Sequence, residues 1–398
     1  MAVHTQPAAS QENHEPNPTY GKLPWSDVPR LLTTLLSLPV AASSSLVRHF
    51  ISHSPRSWTE DLTRAIFRHV TRYIPFAVLR RPVSMKPILS STRFSAVAAG
   101  LNEHIVTPKF AGYWLCKPGY SATAPPSTSD VVILYMHGGG FVIGHPEQYA
   151  TFLLAMIETI TCERPGAKVS LFNLDYALAP ESRFPTQIGN AAAAYEYLTL
   201  TMGIPPQKIV LMGDSAGGSL ALGLLSHLKM PIDTLGVPGE RSVPGGVYLI
   251  CPWLTFEDSN ASFRVNSGSD ILTTKGLQKW SSLLFASDVA EREYKMYADF
   301  VNVPREKGSW RETLPAKVWI TAGADELFVG DIANFAELLK TDGVDVELHV
   351  EEGQAHVWPV NQALLAASGF LKQARGTPVE SGMSGALIIG KAVARQML

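Results

Sequence analysis

The stretch VLMGDSAGGSLALGLL, residues 210–225, places one serine, Ser215, between Gly213 and Gly217. Before it runs an apolar segment, Lys208 to Met212, with Ile209 and Val210. After it Leu220, Ala221, Leu222, Leu224 and Leu225 recur at helical spacing. The pattern predicts a buried strand that turns within a few residues into a helix. A G-x-S-x-G turn of that kind strains the serine backbone and exposes its hydroxyl as a nucleophile for acyl transfer. Glycines there carry an entropic penalty, and close passage of neighbouring chain is the reason to accept it.

A serine nucleophile needs a base, and the base needs an orienting carboxylate. Strand–turn–helix sites of this type order them along the chain as nucleophile, acid, base. His356, in EEGQAHVWP, follows the last apolar run and fits the base. His349 lies inside that run and reads as structural, while His137 and His145 precede Ser215 and fall out of order. For the acid, WITAGADELF ends a predicted strand with Asp325 and Glu326. Counting from the strand start favours Asp325; counting back from Gly343 or His356 favours Glu326 by resemblance to the pattern of the family named below. Asp325 is the preferred acid and Glu326 the alternate. Asp214 adjoins the serine, but adjacent side chains on a sharp turn diverge, and it reads as structural.

YMHGGGFVIGH supplies a fourth component. A tetrahedral intermediate carries a negative oxygen, and consecutive glycines present backbone N–H groups to it without side chains in the way. Gly138, Gly139, Gly140 and the residue after the nucleophile, Ala216, form the expected oxyanion hole. A phosphate-binding loop is disfavoured, because no GxxxxGK[ST] string occurs.

These groups need a scaffold to bring them together. DVVILYMHGGG, AKVSLFNLDY, KIVLMG, GGVYLICP, AKVWITAG and VDVELHVEEG are six apolar runs. Helical segments lie between most of them: Tyr149–Thr161, Gln187–Met202, Ala216–Lys229 and Asp331–Lys340, the last stopped by Gly343. The alternation predicts an α/β protein with a mainly parallel sheet covered on both faces. Residues 105–255 and 310–375 form its two parts. Residues 256–309 break the alternation and read as a cap insertion above the sheet. Residues 21–104 read as an N-terminal helical cap region, in which Ser57 and Glu60 form a capping box and Trp58, Leu62, Ile66 and Val70 share one face. Residues 1–20 read as a disordered tail and 376–398 as a C-terminal tail.

The chain has 398 residues, 33 Lys and Arg against 35 Asp and Glu, and three cysteines. Near-neutral charge without a basic run argues against a nucleic-acid partner. Cys116, Cys162 and Cys251 are scattered and read as buried free thiols, without a disulfide framework or zinc site. No basic-then-apolar secretion signal opens the sequence, which points to a cytoplasmic protein. The apolar stretch VPRLLTTLLSLPVAASSSLVRHF is interrupted by Pro39 and diluted by Ser and Thr, a poor spanning segment. A helix lying on the protein's own core is expected, with a membrane-surface helix the minority reading.

The motifs HGGGF, LDYALAPE and GDSAGG and the terminal histidine, in this order over about 105–370, resemble the hormone-sensitive lipase family of α/β-hydrolases. The N-terminal region is most similar to fungal members, some of which act in secondary metabolism. The resemblance implies the α/β-hydrolase fold and a serine carboxylesterase that cleaves small to medium apolar esters with short acyl groups, without metal or cofactor. The partner is a small-molecule ester. Acyl transfer, amide hydrolysis, lactonisation or cyclisation would use the same site, and a ligand receptor on the same scaffold is a further alternative. Trp358, near His356, lines the pocket or belongs to the core. Two departures stand out. Ala177 replaces the arginine of the family's DYRLAPE, which takes a usual partner from Asp175 and Glu181 and puts a structural ion pair in doubt. ADELFVGD lacks the proline of the family's acid motif, which leaves the acid's register open.

Overall fold

The computed structural model describes residues 23–52, 56–306 and 308–398. The expected tail, residues 1–20, lies outside the described residues. Eight strands form one sheet: β1 (Leu101–Val106), β2 (Ala111–Cys116), β3 (Val131–Met136), β4 (Val169–Asp175), β5 (Ile209–Asp214), β6 (Gly246–Ile250), β7 (Val318–Gly323) and β8 (Val346–Glu351). Their order is β1-β2-β4-β3-β5-β6-β7-β8. The six apolar runs are β3 to β8, and all their mutual pairings are parallel. The sequence pattern missed β1 and β2, which pair antiparallel at one edge. LNEHIV shows one buried residue, Leu101, and an otherwise partly or fully exposed strand. Its burial is too slight to leave an apolar run.

The longer helices are α1 (Val28–Ser52), α2 (Trp58–Tyr73), α3 (Ala150–Glu163), α4 (Thr186–Glu196), α5 (Ala216–Lys229), α6 (Thr274–Leu284), α7 (Val329–Thr341), α8 (Trp358–Lys372) and α9 (Ser384–Met397). One core layer holds Ile188 of α4, Leu220 and Leu224 of α5, and Ile332 and Phe335 of α7. The other holds Leu153 and Ile157 of α3, Trp358 and Phe370 of α8, and Ile389 and Val393 of α9. A parallel sheet wants such cover on both faces. Trp358 is therefore a core residue, 2% exposed.

Three expectations change. Residues 376–398 are not a tail: α9 packs tightly, and a Cβ on Gly390 would press on Thr159 of α3. Of the three free cysteines, Cys162 is exposed while Cys116 and Cys251 are buried. The N-terminal helices also face otherwise than their apolar stripes suggest. The capping box of α2 is present, with Ser57 accepting from Glu60 N–H, yet Trp58 and Ile66 are exposed and Arg64 is buried. Helix α1 does not bury its apolar side on the core; Leu32, Leu36, Val40, Val47 and Ile51 are all exposed. Residues 256–309, between β6 and β7, contribute helices and no strand among the described residues.

Candidate active site

Strand β5 delivers Ser215 to the carboxyl edge of the sheet, and α5 begins at the next residue. Ser215 has φ 52° and ψ −119°, a sparsely populated conformation that costs about 1–3 kcal/mol. The surroundings enforce it: Ser215 N–H donates to Ile250 O of β6 at 2.9 Å, and Ser215 O accepts from Gly218 N–H and Trp253 N–H. The flanking glycines answer to crowding. A Cβ on Gly217 would fall on the Met136 carbonyl at the end of β3, and one on Gly213 would fall on the backbone of Gly217.

His356 lies on the turn between β8 and α8. Its Nε2 is 2.9 Å from Ser215 Oγ, and its Nδ1 is 3.0 Å from Glu326 Oε2. Ser215, His356 and Glu326 are all buried. The preferred acid, Asp325, is not in this chain of contacts. β7 ends at Gly323, and the turn aims residue 325 outward, where Asp325 Oδ2 accepts from Arg64 Nη1 at 2.8 Å and Arg56 Nη1 at 3.1 Å. The alternate, Glu326, faces the histidine. The other candidate histidines, His349, His137 and His145, do not join this chain of contacts. His349 pairs with Glu351 at 2.7 Å. His137 stacks on Tyr176, and burial pushes its pKa down to about 4. His145 caps a short turn, with Nδ1 accepting from Glu147 N–H.

Burial works on both ends of the histidine–glutamate pair. It pushes the Glu326 carboxyl up to about 8 and pushes His356 down, against the opposing pull of Asp270 and Asp214. Burial thus disfavours the charged form at both ends of the pair. Cys251 Sγ joins Glu326 and His356 in a set of ligand-type atoms within 4.8 Å of one another. Both ring nitrogens of His356 lie at hydrogen-bond distance from partners, Glu326 and Ser215.

The glycine turn after β3 departs from expectation at one position. Gly138 N–H donates to Asp214 Oδ1 at 2.8 Å, and the Tyr135 hydroxyl donates to the same oxygen at 2.6 Å. Asp214 is thus structural, as expected, and burial raises it to about 6. Gly138 has no N–H left for an oxyanion. Gly139 and Gly140, at φ 107° and 60°, and Ala216 at the start of α5 donate to no acceptor among the described residues. The N–H groups of the turn and helix start that stay available to a ligand are therefore those of Gly139, Gly140 and Ala216. The Trp280 ring of α6 packs where a Cβ on Gly140 would sit.

Asp270, in the cap insertion, escaped the sequence reading. Its Oδ1 accepts from His356 N–H at 3.0 Å and Ile271 N–H at 2.6 Å, and its Oδ2 accepts from Leu327 N–H at 2.8 Å. It ties the base loop to the acid loop. SGSDIL carries no spacing signal that would single it out. Nearby, Asn266 Nδ2 donates to Ala324 O and Glu326 O. From α2, Arg64 donates to Ser269 O and Gly353 O, and Arg68 donates to Gly268 O and Asp270 O.

A family model described as the alpha/beta hydrolase fold matches residues 133–360. The chain belongs to that family, and its HGGGF and GDSAGG motifs make it a hormone-sensitive-lipase-like member. It is similar to an acetyl-hydrolase of Streptomyces hygroscopicus, 26% identical over 263 residues, which is 63% of this chain and 79% of the relative. An esterase of Acinetobacter venetianus is 26% identical over 224 residues, 56% of this chain and 65% of the relative, so the match spans just under two thirds of that protein. Among solved structures, an esterase from the bacterial hormone-sensitive lipase family superposes with TM-score 0.56 at 24% identity, covering 91% of this chain and 98% of that one. At that identity the likeness concerns the fold.

Proposed function

We propose that the protein is a serine carboxylesterase acting on small to medium apolar esters with short acyl groups. The observation that carries this reading is the contact chain from Ser215 Oγ through His356 to Glu326, at 2.9 Å and 3.0 Å. His356 Nε2 takes the hydroxyl proton as Ser215 attacks the ester carbonyl. Glu326 holds the Nδ1–H tautomer and stabilises the imidazolium that forms. Gly139, Gly140 and Ala216 N–H groups receive the developing oxyanion, where losing one donor typically removes about 3–4 kcal/mol of transition-state stabilisation. His356 then protonates the leaving alcohol, and water, deprotonated by the same imidazole, releases the acid from Ser215.

The acetyl-hydrolase and esterase relatives support this substrate class. The indole of Trp280, set against Gly140, supports a short acyl group by standing beside the oxyanion turn. The three free cysteines fit a reducing, cytoplasmic compartment. A role in secondary metabolism rests on the likeness to fungal members alone.

The test is hydrolysis of p-nitrophenyl acetate and butyrate by the purified chain, beside labelling with a fluorophosphonate. Ser215→Ala should abolish both. Hydrolysis that survives in this variant would overturn Ser215 as nucleophile. Product analysis with competing alcohols and amines separates hydrolysis from acyl transfer, and tight ligand binding by an inert wild-type chain would favour the receptor alternative.

A further inference from the structure

We propose that α1 is a membrane-interface helix, which seats the protein on an anionic lipid surface. The helix is amphipathic in the reverse sense from a core helix. Its polar side faces the protein. Arg30 Nε and Thr34 Oγ1 donate to Tyr73 O of α2, at 2.8 and 3.2 Å. Ser37 Oγ meets His69 Nε2 at 3.0 Å, Ser45 Oγ donates to Asp61 O at 3.0 Å, and His49 Nδ1 meets Asp61 Oδ2 at 2.9 Å. These residues recur every three, four or eight positions and so share one face. The opposite face carries Leu32, Leu36, Val40, Val47 and Ile51, at steps of four and seven. They are 54%, 78%, 67%, 57% and 73% exposed.

Three observations select lipid as the occupant. The segment Trp25–Ile51 is 27 residues long, apolar enough by length and composition to enter a bilayer, and mostly exposed. Large aromatics stand near its two ends, Trp25 at 90% exposure and Phe50 at 69%, as suits a helix at the headgroup boundary. Charge is complementary too. Of the ten Lys and Arg in residues 23–100, Arg56, Arg64, Arg80 and Arg93 pair with acids, so the charge open to a headgroup is carried by the others. Arg48, Arg72, Arg81 and Lys86 of this region are exposed, and such a layer is attracted to anionic lipid. The bonds to α2 set the orientation. A spanning placement would strip Arg30, Ser45 and His49 from their partners and carry them into hydrocarbon, so the helix lies along the surface. Residues 1–22 are mostly polar in sequence and suit this face poorly as a cover.

The experiment is flotation of the full chain with vesicles of phosphatidylcholine, alone and with about one third phosphatidylserine. The wild type should float with the anionic vesicles and less with the neutral ones. The triple variant Leu36→Glu, Val40→Glu, Val47→Glu should lose vesicle binding by roughly ten-fold or more. Its circular dichroism, melting temperature and hydrolysis of p-nitrophenyl acetate should stay unchanged, because all three side chains already face solvent. A wild type that stays in the dense fraction with both vesicles overturns the proposal. So does a triple variant that still floats, or a wild-type dimer in solution that the triple variant converts to monomer, which would make a second copy the occupant.

Discussion

Arg80 and Glu181, 101 residues apart in the chain, meet through two hydrogen bonds from one guanidinium nitrogen, at 2.9 and 3.0 Å. The partner that Ala177 fails to supply thus comes from the N-terminal region. Arg80 is 2% exposed and also donates to Val142 O beside the glycine turn and to Ala179 O. It joins the N-terminal region, the oxyanion turn and the LDYALAPE loop at a single point.

Arg80→Met should therefore destabilise the protein by about 2–4 kcal/mol, since it strands two buried carbonyls and one carboxylate. Glu181→Gln should be milder, because the Glu181 side chain is 34% exposed and keeps solvent contact. Urea unfolding of the two variants, side by side, checks the order.

The acid assignment separates two neighbours. Glu326→Gln should lower kcat by roughly three to four orders of magnitude, because an amide no longer stabilises the imidazolium or enforces its tautomer. Asp325→Asn should leave kcat within a few-fold of the parent. It should cost about 1 kcal/mol of stability through the weakened contacts with Arg56 and Arg64. Steady-state kinetics and thermal melts on both variants decide between them.

Asp270→Asn replaces one acceptor oxygen by an NH2 group. Whichever way the amide turns, a donor then faces the N–H of Leu327 or those of His356 and Ile271. A fall in kcat of roughly ten- to hundred-fold is expected, with KM little changed, because the base is displaced while the pocket remains. A KM effect with kcat intact would contradict this role.

The pH profile follows from burial. His356 must be neutral to accept the serine proton, and burial lowers its pKa below the ordinary value of 6.5. The neutral base therefore persists as pH falls through 6.5, and kcat/KM should drop only at more acidic pH. A midpoint above 6.5 for the acid limb of p-nitrophenyl acetate hydrolysis would contradict the buried-pair geometry.

Much of this architecture could be read from residue order. β3 to β7 are buried along their whole length and so spell themselves as unbroken apolar runs, whereas β8, at the sheet edge, alternates. Ser215 and His356 are legible because a short strand–turn–helix and a post-strand loop leave little freedom in register. The acid was harder, since one residue of turn decides between Asp325 and Glu326, and that turn depends on contacts from Asn266 and Ser269 far away in sequence. Gly138 looked like a donor because its spacing is right; its N–H is taken by a carboxylate that sequence alone does not place. Arg80 and Asp270 were invisible for the same reason. The direction of α1 was illegible because periodicity reveals that an apolar face exists and is silent on what it meets.

Arg64 and Arg68 on α2 reach the carbonyls of residues 268, 269, 270 and 353, beside the segments that hold the acid and the base. That arrangement limits how portable the N-terminal region can be. A chimera that takes this region from a relative inherits its surface properties freely. It keeps a working relay only where the graft presents guanidiniums at the same two heights of the second helix. Without them, the loops around Glu326 and His356 would have to find new donors for those carbonyls, and designers choosing a crossover point near residue 100 should transplant both arginines together.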